Sequence, residues 1–330
     1  MSATPQTDGW RTAAGGRRLV REQPIIPLAA LLVLVVVIYA LVRPGVVTTD
    51  WAGVILRAAV PLAILAGCQT LTMLTGGIDL SVGAIASMAG FMVASLLSGP
   101  GLGVGLAVAL GAAVLAGLLT GIGVGIFRVH PLIMSLGVSF VVLGLANAWQ
   151  IITVQSSTGV PAELRTLGAD RFAQLFPYSF VVFVPLAAII LIGLRRTGYG
   201  RMLYAIGDNP VAARLSGARG WQVLIVLYVI SAVMAAVAGF LLAGLTNVAS
   251  VTLADSLVLP SVAAAVIGGT SIFGGRGGFG GTFVGALILT VISALLTALG
   301  LPEAVRQILF GTIIVVVAAA YSRVTGETTG

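Results

Sequence analysis

The sequence has little charge, no lysine, one histidine and one cysteine. Asp, Glu, Lys and Arg make up 8% of its 330 residues, and all 17 basic residues are arginine. Soluble domains carry about 25% charged residues. The absence of lysine excludes a Walker A phosphate loop, a Schiff-base lysine and the strand lysine of a kinase. A lone His130 excludes a paired-histidine metal site, and a lone Cys68 excludes a disulfide within the chain. No G-x-S-x-G stretch is present. The chain therefore carries no recognisable catalytic set and no metal set. Any ATP that drives it is hydrolysed on another chain.

What is abundant is apolar. Residues of the AVILMFWYC set reach 58%, 44 glycines add to them, and the mean hydropathy is +1.13. Such a chain cannot cover its surface with polar groups, so it reads as a polytopic membrane protein. Helices are the expected fold class, because backbone in hydrocarbon must satisfy its own polar groups and barrel-type alternation is absent. A span needs about 20 residues. Ten candidates follow: 25–42, 54–74, 80–98, 102–127, 131–152, 179–194, 222–245, 257–272, 280–299 and 303–321. The basic tail 1–24 before the first run resembles a signal peptide, but no A-x-A site follows, so a retained first span is expected.

Arginine placement predicts the orientation. With ten spans and a cytoplasmic N-terminus, 12 arginines fall on inner segments and 5 on outer ones. That split favours both termini inside. The net charge of +7 thus reports orientation, and the polar stretches are too short for a nucleic-acid module. The polar connection 153–178 is expected outside and 195–221 inside, with 323–330 as a C-terminal tail. An inverted two-half arrangement is compatible with this layout, though no sequence repeat supports it. Trp51, Trp149 and Trp221 fall near span ends, as interfacial anchors do.

Three segments stand out. The first is TGGIDLSVGA at 75–84, where Asp79 is the only charged residue between Arg57 and Arg128. A carboxylate at a bilayer centre costs roughly 2.5–3.5 kcal/mol on insertion scales, so Asp79 needs a joint or partners. It reads as a helix cap next to the breaker pair Gly76-Gly77, or as the mark of a broken helix facing a polar pathway. The second is GGTSIFGGRGGFGG at 268–281, in which eight of 14 residues are glycine. It reads as a sharp turn with close helix contacts, or as a hinge with Arg276 against a partner or lipid. The third is DNPVAARLSG at 208–217. Asp208 and Asn209 read as caps, Pro210 as a first-turn proline and Gly217 as the stop. It is a solvated loop helix or a helix that docks on a peripheral protein.

At these segments the chain resembles the permease subunit of bacterial ABC importers for monosaccharides, of the ribose/xylose/galactose type. The matching pieces are TGGIDLSVGA at 75–84, PLIMSLG at 131–137, GYGRMLYAIGDNPVAARLSG at 198–217 and AAVIGGTSIFGGRGG at 264–278. Val211 stands where the family usually has Glu, and Pro260 where an acidic residue is more usual. The resemblance implies a single transmembrane permease domain over 25–322 in the bacterial inner membrane. It implies a second permease copy, two cytoplasmic ABC ATPase subunits that hold the ATP and Mg, and an extracytoplasmic sugar-binding protein. It makes 208–217 the coupling helix, with Asp208, Asn209, Pro210, Ala212, Ala213, Arg214 and Gly217 contacting the ATPase. Gly76, Gly77, Asp79, Ser81, Asn147, Gln150, Gly268, Gly269, Thr270 and Ser271 are the candidate pathway or hinge residues. The alternatives are an ion-gradient-driven secondary transporter and a passive channel.

Overall fold

The computed structural model describes residues 25–96, 101–153 and 159–326. The expected tail 1–24, with Arg11, Arg17, Arg18 and Arg21, lies outside the described residues. So do 154–158 of the expected outer connection and 327–330 of the expected C-terminal tail.

Helices occupy all ten predicted segments, but not as ten equal spans. They are α1 (Ile25–Val42), α2 (Thr49–Met73), α3 (Ser81–Ser95), α4 (Leu102–Gly125), α5 (Pro131–Thr153), α6 (Ala162–Ala169), α7 (Phe180–Arg196), α8 (Gly198–Asp208), α9 (Pro210–Leu215), α10 (Gly220–Thr246), α11 (Val258–Ile267), α12 (Phe279–Ala298) and α13 (Glu303–Gly326). Among the described residues, six helices are long and apolar enough to cross a membrane: α1, α2, α4, α5, α10 and α12. A seventh span is reached if α7 and α8 count as one, bent by 68°.

The predicted spans 80–98 and 257–272 are shorter than expected. Helix α3 has 15 residues, and the apolar helix at the second site runs Asp255–Ile267. At 1.5 Å per residue, α3 is only about 22 Å long. The chemistry at their ends explains the difference. Both helices start within one residue of the prediction and stop early: α3 ends at Ser95 with Leu96 as its cap, and Gly268, followed by Gly269 at φ +88°, stops α11.

Helices α2, α3, α4 and α10 form the core. Helices α2, α3 and α10 bury most of their side chains, whereas α1 and α5 leave long apolar faces exposed. The most extensive pairing is α4 with α10. Gly117, Gly121 and Gly125 recur every fourth residue and share one helix face. A Cβ on Gly117 would lie 2.7 Å from Tyr228 O, one on Gly121 2.7 Å from Ile225 Cα, and one on Gly125 2.9 Å from Trp221 O. Small residues at this spacing let helix backbones touch where lipid gives no hydrophobic drive for association.

Two ends of the bundle can be told apart by what meets there. At the first, the cap end, the expected outer connection folds into α6 and a two-stranded antiparallel hairpin, β1 (Arg171–Phe172) with β2 (Phe176–Pro177). Arg171 makes an ion pair of 2.8 Å with Asp50 and donates to Asp50 O and Gln174 O. Arg57 donates to Ala169 O, and Arg43 donates to Ala298 O. At the second, the joint end, the turns after α2, α4, α8 and α11 converge.

Candidate functional site: the joint end

Helix α9 is shaped by its own sequence. Pro210 occupies the first helical position, and Asn209 Oδ1 accepts from Val211 N and Ala212 N, both at 3.0 Å. Asp208 is not a cap; it is the last residue of α8. Ser216 closes α9, and Gly217 follows at φ +85°, a left-handed conformation that only glycine adopts without strain. Ala213 is buried under the helix, while Val211 and Leu215 are exposed, Leu215 by 85%. An apolar face left bare on so short a helix is suited to a partner's groove.

Helix α8 ties this segment to the rest of the joint end. Thr197 Oγ1 accepts from Gly200 N at 3.1 Å and caps it. Tyr199 Oη donates to Val223 O at 3.0 Å, and Tyr204 Oη donates to Gly277 O at 2.8 Å. At its last turn α8 touches backbone directly. A Cβ on Gly207 would fall 1.8 Å from Leu74 O and 2.5 Å from Gly275 N. Gly275 N itself donates to Leu74 O at 3.0 Å. The turn after α2, the glycine-rich turn and the residue before Asp208-Asn209-Pro210 therefore meet with no side chain between them.

The glycine-rich turn is pinned to the bundle. Ser271 N donates to Arg276 O at 2.9 Å, and Ser271 Oγ accepts from Phe273 N at 3.2 Å. Gly268 packs on Gly281 and Thr282, where a Cβ would lie 2.4 Å from Thr282 N. Thr282 Oγ1 lies 2.6 Å from Thr70 Oγ1 and 3.5 Å from Thr270 Oγ1, so three hydroxyls join α2, the turn and α12.

One turn deeper lies Asp79, which is 1% exposed. Its Oδ1 accepts from Ser81 N at 3.0 Å and Ser81 Oγ at 2.5 Å, and its Oδ2 accepts from Ser231 Oγ at 3.0 Å. The carboxylate thus holds the start of α3 against the middle of α10. Gln69 of α2 grips the same residue by its backbone: Nε2 donates to Asp79 O at 2.7 Å, and Oε1 accepts from Asp79 N at 3.2 Å. Ser135 Oγ of α5 accepts from Leu80 N at 3.0 Å and donates to Ile78 O. Gly77 is wedged between Pro131 and Tyr228, where a Cβ would lie 2.9 Å from Pro131 Cβ. The Tyr228 hydroxyl is buried and has no hydrogen-bond partner. Helices α2, α3, α5 and α10 therefore all meet at one broken joint.

Of the predicted residues, Gly76, Gly77, Asp79, Ser81, Gly268, Gly269, Thr270 and Ser271 lie at this end, beside α9. Asn147 and Gln150 do not. They sit near the cap end of α5, where Asn147 Nδ2 donates to Leu143 O of its own helix at 2.8 Å. A polar group in an apolar helix needs a partner, and here a carbonyl four residues back supplies it. Gln69, Thr70, Ser135, Tyr228, Ser231 and Thr282 were not singled out by sequence. Their only signal was polarity inside apolar runs.

The family described as "Branched-chain amino acid transport system / permease component" matches residues 52–318. The fructose import permease protein FrcC of Rhizobium meliloti is 33% identical over 272 residues, covering 80% of this chain and 76% of that protein. The probable ABC transporter permease protein YphD of Escherichia coli is 34% identical over 308 residues, with 92% and 90% covered. The ribose import permease protein RbsC of Bacillus subtilis is 32% identical over 305 residues, with 89% and 91% covered. No solved structure matches the chain.

Proposed function

The chain belongs to the family of branched-chain amino acid transport system permease components, and from that premise we propose that α9 is where an ATPase subunit drives it. The chain is a multi-pass membrane protein and the permease subunit of a binding-protein-dependent sugar importer. Its solute is a monosaccharide or a related small polar molecule. The permease performs no chemistry of its own. ATP and Mg bind the partner ATPases, two per importer, alongside a second permease copy and an extracytoplasmic sugar-binding protein. The membrane is the bacterial inner membrane.

The joint end is the cytoplasmic one in this reading, and both termini lie inside. Two sets of contacts support that. Segments predicted outside meet one another at the cap end, Asp50 with Arg171 and Arg43 with Ala298 O, except that Ala254 reaches in to Ser87 of α3. Segments predicted inside meet at the joint end: Leu74 with Gly275, and Gly77 with Pro131.

The observation that carries the proposal is the backbone contact at Gly207. Movement of α9 pushes on α8, and α8 pushes without any compliant side chain on the turn that leads to Asp79. The spans then tilt about the joint and expose the solute path alternately to each side. The ion-gradient alternative loses support at Asp79, whose two oxygens already take three donors from the chain itself.

Uptake into proteoliposomes tests this function. With the ATPase, the binding protein and internal ATP present, solute accumulates; an ion gradient without ATP gives none. Accumulation driven by the gradient alone would overturn the proposal. Ala212→Asp, on an exposed face of α9, is expected to abolish co-purification of the ATPase while leaving membrane insertion intact.

A further inference from the structure

Between α9 and the inner ends of α4 and α10 lies a cavity of about 440 Å³. Three arginines line it, Arg128, Arg214 and Arg219. Trp221, Val124 and Leu224 supply its apolar side, and no carboxylate lines it. Arg128 and Arg219 make no side-chain hydrogen bond or ion pair among the described residues. Arg214 uses only Nε, donating to Pro210 O at 3.2 Å. Three cationic residues thus line one cleft, and their terminal nitrogens have no hydrogen-bond partner among the described residues.

The backbone is shaped to put one of them there. Arg128 has φ +56°, in the left-handed region that glycine or asparagine usually occupies after a helix end. The turn is closed by Phe127 N donating to Ile122 O at 3.2 Å and Val129 N donating to Gly123 O at 3.0 Å.

We propose that this cleft binds the phosphate headgroup of an anionic phospholipid of the inner leaflet. The rim favours a lipid over a free anion. Ile126 and Phe127 are 51% and 73% exposed, and Trp221 is 47% exposed. Apolar and indole side chains beside arginines at a helix end are the arrangement of a headgroup boundary, and basic pockets between spans on the cytoplasmic side suit anionic headgroups. The cleft also opens on a different face of α9 from the one a peripheral protein would take. Pro210, Ala213 and Arg214 face the cavity, while the bare Leu215 and Val211 do not line it. A headgroup there bridges α9 to both α4 and α10, so the surrounding lipid sets how firmly α9 is held.

Native mass spectrometry tests this on the detergent-purified full chain, equilibrated with equal amounts of phosphatidylglycerol and phosphatidylcholine. We expect phosphatidylglycerol to be retained at least tenfold over phosphatidylcholine. In the variant carrying Arg128→Gln, Arg214→Gln and Arg219→Gln the ratio falls to within twofold, and Arg165→Gln at the cap end leaves it unchanged. Millimolar inorganic phosphate does not displace the lipid. Equal retention of the two lipids by the wild type, or an unchanged ratio in the triple variant, overturns the proposal. Displacement by inorganic phosphate overturns it in favour of a free-phosphate site. If the triple variant does not purify, the wild type decides: brominated phosphatidylglycerol must quench Trp221 more than brominated phosphatidylcholine does, with Trp221→Phe as the reference. These readouts need neither ATPase nor solute, so they stand or fall apart from the transport function.

Discussion

Both ends of the bundle have backbone meeting backbone at glycines, Gly168 and Gly244 between α6 and α10 at the cap end and Gly207 at the joint end, and they differ in what is added. At the cap end, long side chains reach across gaps: Arg171 to Asp50, Arg57 to Ala169 O and Arg43 to Ala298 O. At the joint end, glycines let backbone meet backbone at Gly207, Leu74 and Gly275. Arginine side chains have many rotamers and can pair again after a displacement. Touching backbones cannot stretch or compress without moving whole helices, because packed interiors transmit strain. The difference teaches where force can pass. The joint end can carry a displacement from α9 to the helices, while at the cap end α6 rides with α10 and only the arginine fastenings to α2 and α12 can re-form.

The sharpest way to break this contrast is Gly207→Ala. Its Cβ would fall 1.8 Å from Leu74 O, so backbone must move. Overpacking typically costs about 1–3 kcal/mol, and the loss of alignment is expected to lower ATP-driven uptake more than tenfold in vesicles. Unchanged uptake would mean the contact transmits nothing.

Next in size is Asp79→Ala. It strands the hydroxyls of Ser81 and Ser231 in the interior and frees the start of α3. Leaving buried groups unsatisfied costs about 1–3 kcal/mol each. A lower midpoint of thermal unfolding in detergent is expected, with Asp79→Asn intermediate because it keeps one acceptor oxygen. A variant as stable as the wild type would remove Asp79 from the joint.

The smallest effect belongs to the cap end. Arg171→Gln breaks an ion pair in which the Asp50 side chain is 59% exposed. Such surface pairs contribute about 0–1 kcal/mol, so the unfolding midpoint and uptake should stay near wild type. A loss as large as that of Gly207→Ala would erase the distinction between the ends.

Some of this was legible in the sequence for physical reasons. Asn209-Pro210 and Gly217 mark the ends of α9 because capping and left-handed stops are local chemistry. Asp79 demanded partners because a buried charge must have them, but which partners could not be read. Ser231 lies 152 positions away, and only packing brings it near. Gly207 gave no signal, since its importance is the side chain it lacks. Asn147 and Gln150 lie away from the joint end, because polarity within a span does not say at which depth or face its partners stand. The short lengths of α3 and α11 were hidden too, because an apolar run does not reveal where its helix ends.

The central claim is that the joint end moves as one piece while the cap end moves relative to it. Paired spin labels at Leu215→Cys and Arg276→Cys, and separately at Leu215→Cys and Tyr178→Cys, measure this directly in the assembled importer, with each labelled permease diluted into unlabelled copies. Cys68 is fully buried and does not compete for label. Between the nucleotide-free and ATP-bound states, the first distance is expected to stay constant and the second to shift by several ångströms. A first distance that changes while the second holds would contradict the account.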